Sequence, residues 1–158
     1  GGTGGTGGGT GGGGGATIDV RLVQGPVPYQ EPPFAAMGGG EVSFLGRTRE
    51  EVHSTHGKLL LLRYEAKESM AIKVLSELAA DIADRHKLLL VRVVHSLGDV
   101  PVSQASVLVQ VVGVHRKEAF DASAEMMDRL KKKVPIWKQE VWEDGATWKD
   151  GAVVDPNA

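Results

Sequence analysis

Lysines and arginines carry the chemistry that this chain's spacing brings into view. On a helical wheel over Glu118–Lys133 with Phe120 at zero, Met127 falls at about 340°, Ala124 at about 40° and Leu130 at about 280°. Lys131 falls at about 20°, inside that apolar arc, while Lys132 and Lys133 point toward the solvated side. Two readings of Lys131 stand open. One is a helix-end lysine that lays its stem on apolar surface and complements the negative end of the helix dipole. The other is a lysine aimed into a partly closed pocket, where it would move a proton or hold an anion. From His115 to Lys138 there are seven Lys/Arg against four Asp/Glu. Further cations stand at Arg47 and Arg49, just after Gly46. If that loop and the helix end meet, they make an anion site of the phosphate type; if they do not, they are a solvated charged surface.

Composition narrows the alternatives. The 158 residues include 22 Gly and no Cys, and carry a formal charge of −2. The absence of cysteine excludes a disulfide framework, a thiolate metal site and a thiol nucleophile, so any sulfur chemistry needs sulfur brought from outside. The near-neutral charge argues against a bulk nucleic-acid binder, and no apolar run is long enough to span a membrane. No signal or transit peptide is recognisable at the N-terminus, so the expected setting is the cytosol. Residues 1–15 are Gly apart from Thr3, Thr6 and Thr10. They read as a flexible tail or linker, with a span of roughly 20 Å, able to tether the domain to an upstream segment. Residues 16–150 then form one domain, and 151–158 a short C-terminal tail.

The elements that must position these cations follow from periodicity. Thr17–Val23 alternates as a half-buried strand, Glu41–Leu45 is a second strand, and Lys58–Glu65 a third. A short helix is conceivable around Phe34–Met37, and Arg47–Gly57 reads as a mobile loop. Glu68–His86 repeats apolar residues at helical spacing. Leu88–His95 is a strand buried on both faces, Gly98–Pro101 a turn, and Ser106–Val114 another strand. A second helix ends before Pro135, and a short strand spans Trp137–Trp142. This order predicts an α+β fold with a mixed or antiparallel sheet and two long helices.

Several motifs carry nothing. Gly40–Thr48 has the wrong spacing for a phosphate-binding loop, and His53 and His56 lack a third metal ligand in pattern. His95, at a strand end, reads as a hydrogen-bonded structural histidine.

Taken in order, the remaining motifs resemble one family. They are Phe44-Leu45-Gly46-Arg47-Thr48-Arg49, Leu62-Arg63-Tyr64-Glu65-Ala66, His95-Ser96-Leu97-Gly98, His115-Arg116, Asp128-Arg129-Leu130-Lys131 and Pro135-Ile136-Trp137-Lys138-Gln139-Glu140. Between Ile18 and Lys149 the chain resembles the catalytic (large) subunit of molybdopterin synthase. That resemblance implies an α/β-hammerhead-type fold and a homodimer of large subunits within a heterotetramer. It implies a small ubiquitin-like sulfur-carrier subunit whose C-terminal Gly-Gly thiocarboxylate supplies sulfur to cyclic pyranopterin monophosphate. It implies no metal and no bound cofactor. By position, Lys131 matches the family's catalytic lysine and Lys138 a second essential lysine. Arg49, His115 and Arg116 match anion-binding residues; Arg47 and Thr48 flank the first of these, and Gln139 and Glu140 stand beside Lys138. Ser96 departs from the family's usual Arg, and Glu50 from a common Asn. The alternative reading is a non-catalytic module that binds a ubiquitin-like or acidic partner through the same basic surface.

Overall fold

The computed structural model describes residues 15–33 and 35–148, together with the backbone of Thr6 and Gly7. Most of the Gly/Thr tail and all of the C-terminal tail lie outside the described residues. Strands β1 (Thr6–Gly7), β2 (Thr17–Gln24), β3 (Gly40–Arg47), β4 (Val52–His53) and β5 (Gly57–Ala66) precede helix α1 (Glu68–His86). Strands β6 (Leu90–Pro101) and β7 (Ala105–Gly113) precede α2 (Arg116–Lys133), and β8 (Ile136–Trp142) and β9 (Gly145–Trp148) follow it. The fold is α+β, with one parallel pair in an otherwise antiparallel sheet.

Strand β6 organises the molecule. Its first part runs parallel to β2 and antiparallel to β7, whose other edge carries β3. Its last part, Gly98–Pro101, leaves these partners and pairs with Leu61–Tyr64 of β5. Strands β8 and β9 extend the sheet beyond β5. The turn expected at Gly98–Pro101 is therefore strand. Gly98 has φ +77°, a conformation open to glycine that redirects β6 toward its second set of partners. The reversal comes at residues 102–104, where Ser103 takes φ +79°.

The helices cover one face of the β2–β6–β7–β3 layer. Ala71, Leu75, Leu78, Ala79 and Ile82 of α1 pack with Ala119, Ala122, Met126 and Leu130 of α2 over Val91, Val93, Val107, Val109 and Val111. Truncating one such side chain, as in Leu75→Ala, costs about 2–5 kcal/mol. Val27 covers Val94 and Leu108 on the opposite face, so β7 is buried along its whole length. Beside this patch Arg92, 8% exposed, donates to Asp19 (2.8 Å), Gln110 (3.1 Å) and the Glu31 carbonyl (3.3 Å). Burial raises the Asp19 pKa, but hydrogen bonds from Arg21 and Arg92 outweigh it and hold the carboxyl below its ordinary value.

Two loop expectations change. Arg47–Gly57 contains β4, which pairs with Gly57–Lys58, and His53 Nδ1 accepts from the backbone N–H of Thr55 (3.1 Å) and His56 (3.2 Å). Residues 35–37 turn without forming a helix, closed by Gly38 N–H donating to the Ala35 carbonyl (2.9 Å); Phe34 lies outside the described residues.

Candidate active site

The buried stripe of α2 is Ala119, Ala122, Met126 and Leu130. Those positions centre more than a quarter-turn away from Lys131. The arc that the wheel placed around Phe120, Ala124 and Lys131 faces outward: Phe120 is 60% exposed, and Ala124 and Lys131 are also exposed. Lys131 is thus not drawn into the core of its own chain. It stands at the solvent end of a weakly apolar strip, and the pocket reading of the wheel does not hold within one chain.

Alpha-2 runs back antiparallel to β7, so its C-terminal end lies over the end of the layer where β3 finishes and β7 begins. Arg47, opposite Ala105, is at that end. Its Nη1 donates to the Ser103 carbonyl (2.9 Å). Thr48 is 2% exposed and its hydroxyl donates to the Val100 carbonyl (3.1 Å). The backbone of Thr48 also pairs with Gln104 and Ser103 (3.0 and 2.8 Å). The Thr48 side chain is committed to the fold: it pins the loop and leaves Arg49 exposed beside it. Arg49 and Lys131 have no acidic partner among the described residues.

From α2 the chain passes through Pro135 into β8 and brings in the second lysine. Lys138 is half-buried and sits directly opposite Tyr64 of β5, which in turn is opposite Gly98 of β6. Strand alternation places Glu140 on the face of Lys138 and Gln139 on the other, with Trp137. Glu140 is buried and accepts from Thr147 Oγ1 (3.4 Å), which accepts from Trp142 Nε1 (2.9 Å). Trp137 Nε1 donates to Glu65 (3.1 Å). The run Lys138-Gln139-Glu140 therefore splits across two faces, and Gln139 does not join the lysine.

Two residues behind Lys138 were not singled out for the site by sequence. The Tyr64 ring meets the buried His95 ring edge-on, with centroids 5.0 Å apart. His95 Nδ1 bonds the Ser96 carbonyl (2.7 Å). Burial above all, opposed by the Ser96 carbonyl and aided by the Lys138 charge, pushes the His95 pKa down to about 4. A neutral ring then donates from Nδ1. His95 is thus a hydrogen-bonded histidine, but it lies inside β6 rather than at the strand end that the sequence suggested, and it also feels Lys138. The signal available in sequence was the joint presence of the His95 and Tyr64 motifs in one ordered set; the pairing of β5 with the end of β6 brings them together.

His115 and Arg116 lie at the opposite end, where α2 begins. Gly113 pairs with Gly40, whereas Arg47 pairs near Ala105. Seven strand residues, about 23 Å, separate the two ends. Within one chain the arginine loop and His115-Arg116 do not meet. The His115 side chain is 79% exposed, with Nδ1 3.6 Å from Glu118, and Arg116 is exposed with no acidic partner among the described residues.

Residues 27–133 match the family model described as MoaE protein. The chain belongs to the molybdopterin synthase catalytic subunit family, enzymes of molybdenum cofactor biosynthesis. Over 113 residues it is 39% identical to the molybdopterin synthase catalytic subunit of Pyrococcus abyssi, covering 72% of this chain and 75% of that one. The crystal structure of molybdopterin synthase from Staphylococcus aureus superposes with a TM-score of 0.74 at 34% identity, covering 81% of this chain and 94% of its own. A complex of subunits 1 and 2 of molybdopterin-converting factor from Helicobacter pylori shares the fold at 23% identity, with a TM-score of 0.70 over 85% and 92% of the two chains. No helix among the described residues is long and apolar enough to cross a membrane.

Proposed function

We propose that the chain transfers sulfur to cyclic pyranopterin monophosphate from the thiocarboxylated C-terminus of a small ubiquitin-like subunit, making the dithiolene of molybdopterin. The observation that carries this reading is the cation set at one end of the layer: Arg49 and Lys131 exposed, Lys138 half-buried. Arg49 holds the phosphate, with Arg47 keeping its loop in place. Lys131 and Lys138 exchange protons with the oxygens displaced from the substrate and stabilise the carboxylate left on the partner after its sulfur departs. Two transfers complete one dithiolene. The chain holds no cysteine, so sulfur passes from the partner's tail without a persulfide on this subunit.

One chain does not close the anion site, because its His115-Arg116 end lies about 23 Å away. A second copy laid with that end over the first copy's lysines supplies the missing cations, and by symmetry receives the same in return. The working unit is then a dimer of this chain with one small subunit at each site. The Helicobacter pylori neighbour is a complex of subunits 1 and 2 of molybdopterin-converting factor, which supports the pairing with a small subunit.

The deciding experiment supplies the thiocarboxylated small subunit and the cyclic substrate and follows product by mass spectrometry. Parent protein forms product and Lys131→Ala does not. Turnover by Lys131→Ala at the parent rate removes the catalytic role, and partner binding without product in the parent makes the chain a docking module.

A further inference from the structure

Four polar side chains form one row across the sheet. Asp19 of β2 is opposite Arg92 of β6, Arg92 is opposite Gln110 of β7, and Gln110 is opposite Ser43 of β3. The row lies on the face away from the helices, two residues along from Val94 and Leu108, which Val27 covers. Its donors hold a chain segment by its backbone. Arg92 Nη1 donates to the Glu31 carbonyl (3.3 Å), and Gln110 Nε2 donates to the Gln30 carbonyl and to Ser43 Oγ (3.1 Å). The segment that begins at Val27 is thus a strap led along β6 and β7 toward the end of the layer where α2 starts. It arrives there as Gly38-Gly39-Gly40, with Gly38 beside Val112.

None of these three glycines has a positive φ, so what they supply is room. A Cβ on Gly40 would stand 2.8 Å from Arg116 Cα and 2.9 Å from Arg116 N, backbone atoms that cannot swing aside. A Cβ on Gly39 would strike the Val114 carbonyl oxygen. Gly39 N–H donates to the Gly113 carbonyl (3.0 Å). The start of α2 has no side-chain cap of its own, so the turn into it rests directly on this backbone. We propose that Gly40 is a positioning residue for the His115-Arg116 pair, pressed against the Arg116 backbone by the strap that Arg92 and Gln110 anchor. This rests on the reading that His115 and Arg116 of one copy act on the substrate held by the other. An anion contact made across an interface needs a fixed starting point, even though the side chains that make it stay exposed until something covers them.

The test uses mixed dimers isolated through two different affinity tags and assayed with thiocarboxylated small subunit. Each dimer carries one Gly40→Ala and one Lys131→Ala, on different chains in one arrangement and on the same chain in the other. Either way one site keeps its Lys131. With the changes on different chains, that site takes His115-Arg116 from a chain with Gly40 intact, and KM for the cyclic phosphate substrate is expected to match the parent. With both changes on one chain, it takes them from the Gly40→Ala chain. KM is then expected to rise about tenfold, the worth of one charge-assisted hydrogen bond, with kcat per live site within about twofold. A lesion confined to the fold of the chain that carries it gives the opposite order. Equal KM in the two arrangements, or the higher KM with the changes on different chains, overturns the proposal. Gln110→Glu in place of Gly40→Ala keeps the side-chain shape and turns a carboxylate oxygen toward the Gln30 carbonyl, loosening the strap without touching the turn. The same order is expected from it with a rise of about threefold, and where Gly40→Ala yields no folded dimer, equal KM here overturns the proposal. Arg116→Ala in the same two arrangements separates the layers. If arrangement matters for Arg116→Ala and not for Gly40→Ala, the positioning role alone falls; if it matters for neither, the reading beneath falls with it.

Discussion

The two ends of α2 are built on opposite plans. At its C-terminal end the surroundings of the lysines are tied down: Thr48 to Val100, Arg47 to Ser103, Tyr64 to His95, Glu140 to Thr147. At its N-terminal end His115 and Arg116 project into solvent, with no side-chain cap on the helix and only a 3.6 Å approach to Glu118. A proton-transferring group needs a fixed environment, because its reach is a single hydrogen bond. A group that only neutralises an anion works from an exposed position and gains its desolvation when something covers it. The end that is prepared within one chain is thus the one expected to do chemistry, and the bare end is the one expected to be completed by another molecule.

The largest effect that sharpens this contrast is loss of Lys138. Lys138→Ala is expected to lower turnover on the order of 10²–10³-fold in single-turnover assays with the thiocarboxylated partner. Comparable losses from Lys117→Ala, at the other end of the same helix, would break the contrast.

Next comes pH. In the unfolded chain His95 takes up a proton near 6.5, whereas in the folded chain burial holds it to about 4. The unfolded state therefore binds more protons between these values. Stability is full above about pH 6.5 and falls as pH drops toward 4, by about 3 kcal/mol in all. Urea unfolding at pH 7 and pH 4.5 is expected to show this slope in the parent and a flatter one in His95→Gln. Equal slopes would mean that the lysine end is less closed than its burial indicates.

A mixing experiment tests the bare end directly. Arg116→Ala and Lys131→Ala chains are each expected to be inactive, yet when mixed and allowed to exchange subunits they regain roughly a quarter of parent activity, one intact site in each mixed dimer. No recovery would place Arg116 and Lys131 of a single chain in one site, against the geometry.

The smallest effect is expected at the exposed Lys117–Asp121 pair (3.0 Å). Asp121→Ala is expected to change unfolding free energy by less than about 0.5 kcal/mol. A larger change in denaturant midpoint would show that the N-terminal end carries structural weight after all.

What sequence made legible follows the same division. The span of α1 was read to the residue, since buried apolar positions recur along it with helical period. The α2 wheel found an apolar arc but chose the wrong one. Ala119 and Ala122 are small and read as weak signals, while Phe120 reads as strong, yet close packing against β3 and β7 selects the small residues. Gly98 and Pro101 look like turn residues, and only the pairing with β5 shows that they continue a strand. Motif order named the lysines and arginines. It gave no sign that His115 and Arg49 sit at opposite ends of a strand pair, because sequence proximity to a helix says nothing about which end of a sheet that helix starts from. Thr48 and Gln139 stand in these motifs by adjacency; the structure buries the Thr48 hydroxyl on Val100 and turns Gln139 to the face opposite Lys138.

The parallel pairing of β2 with β6 has a consequence for synthesis. Thr17 pairs with Leu90, about 70 residues further along, and the pairing continues to Gln24 with Leu97. At ribosomal rates the first long strand waits on the order of 4–15 s before its partner is made. Throughout that interval Ile18, Val20 and Leu22, all buried in the finished fold, lack their β6 partner. The nascent chain is therefore a natural client for a holding chaperone, and its yield in cells will respond to expression rate and temperature before it responds to the stability of the finished protein.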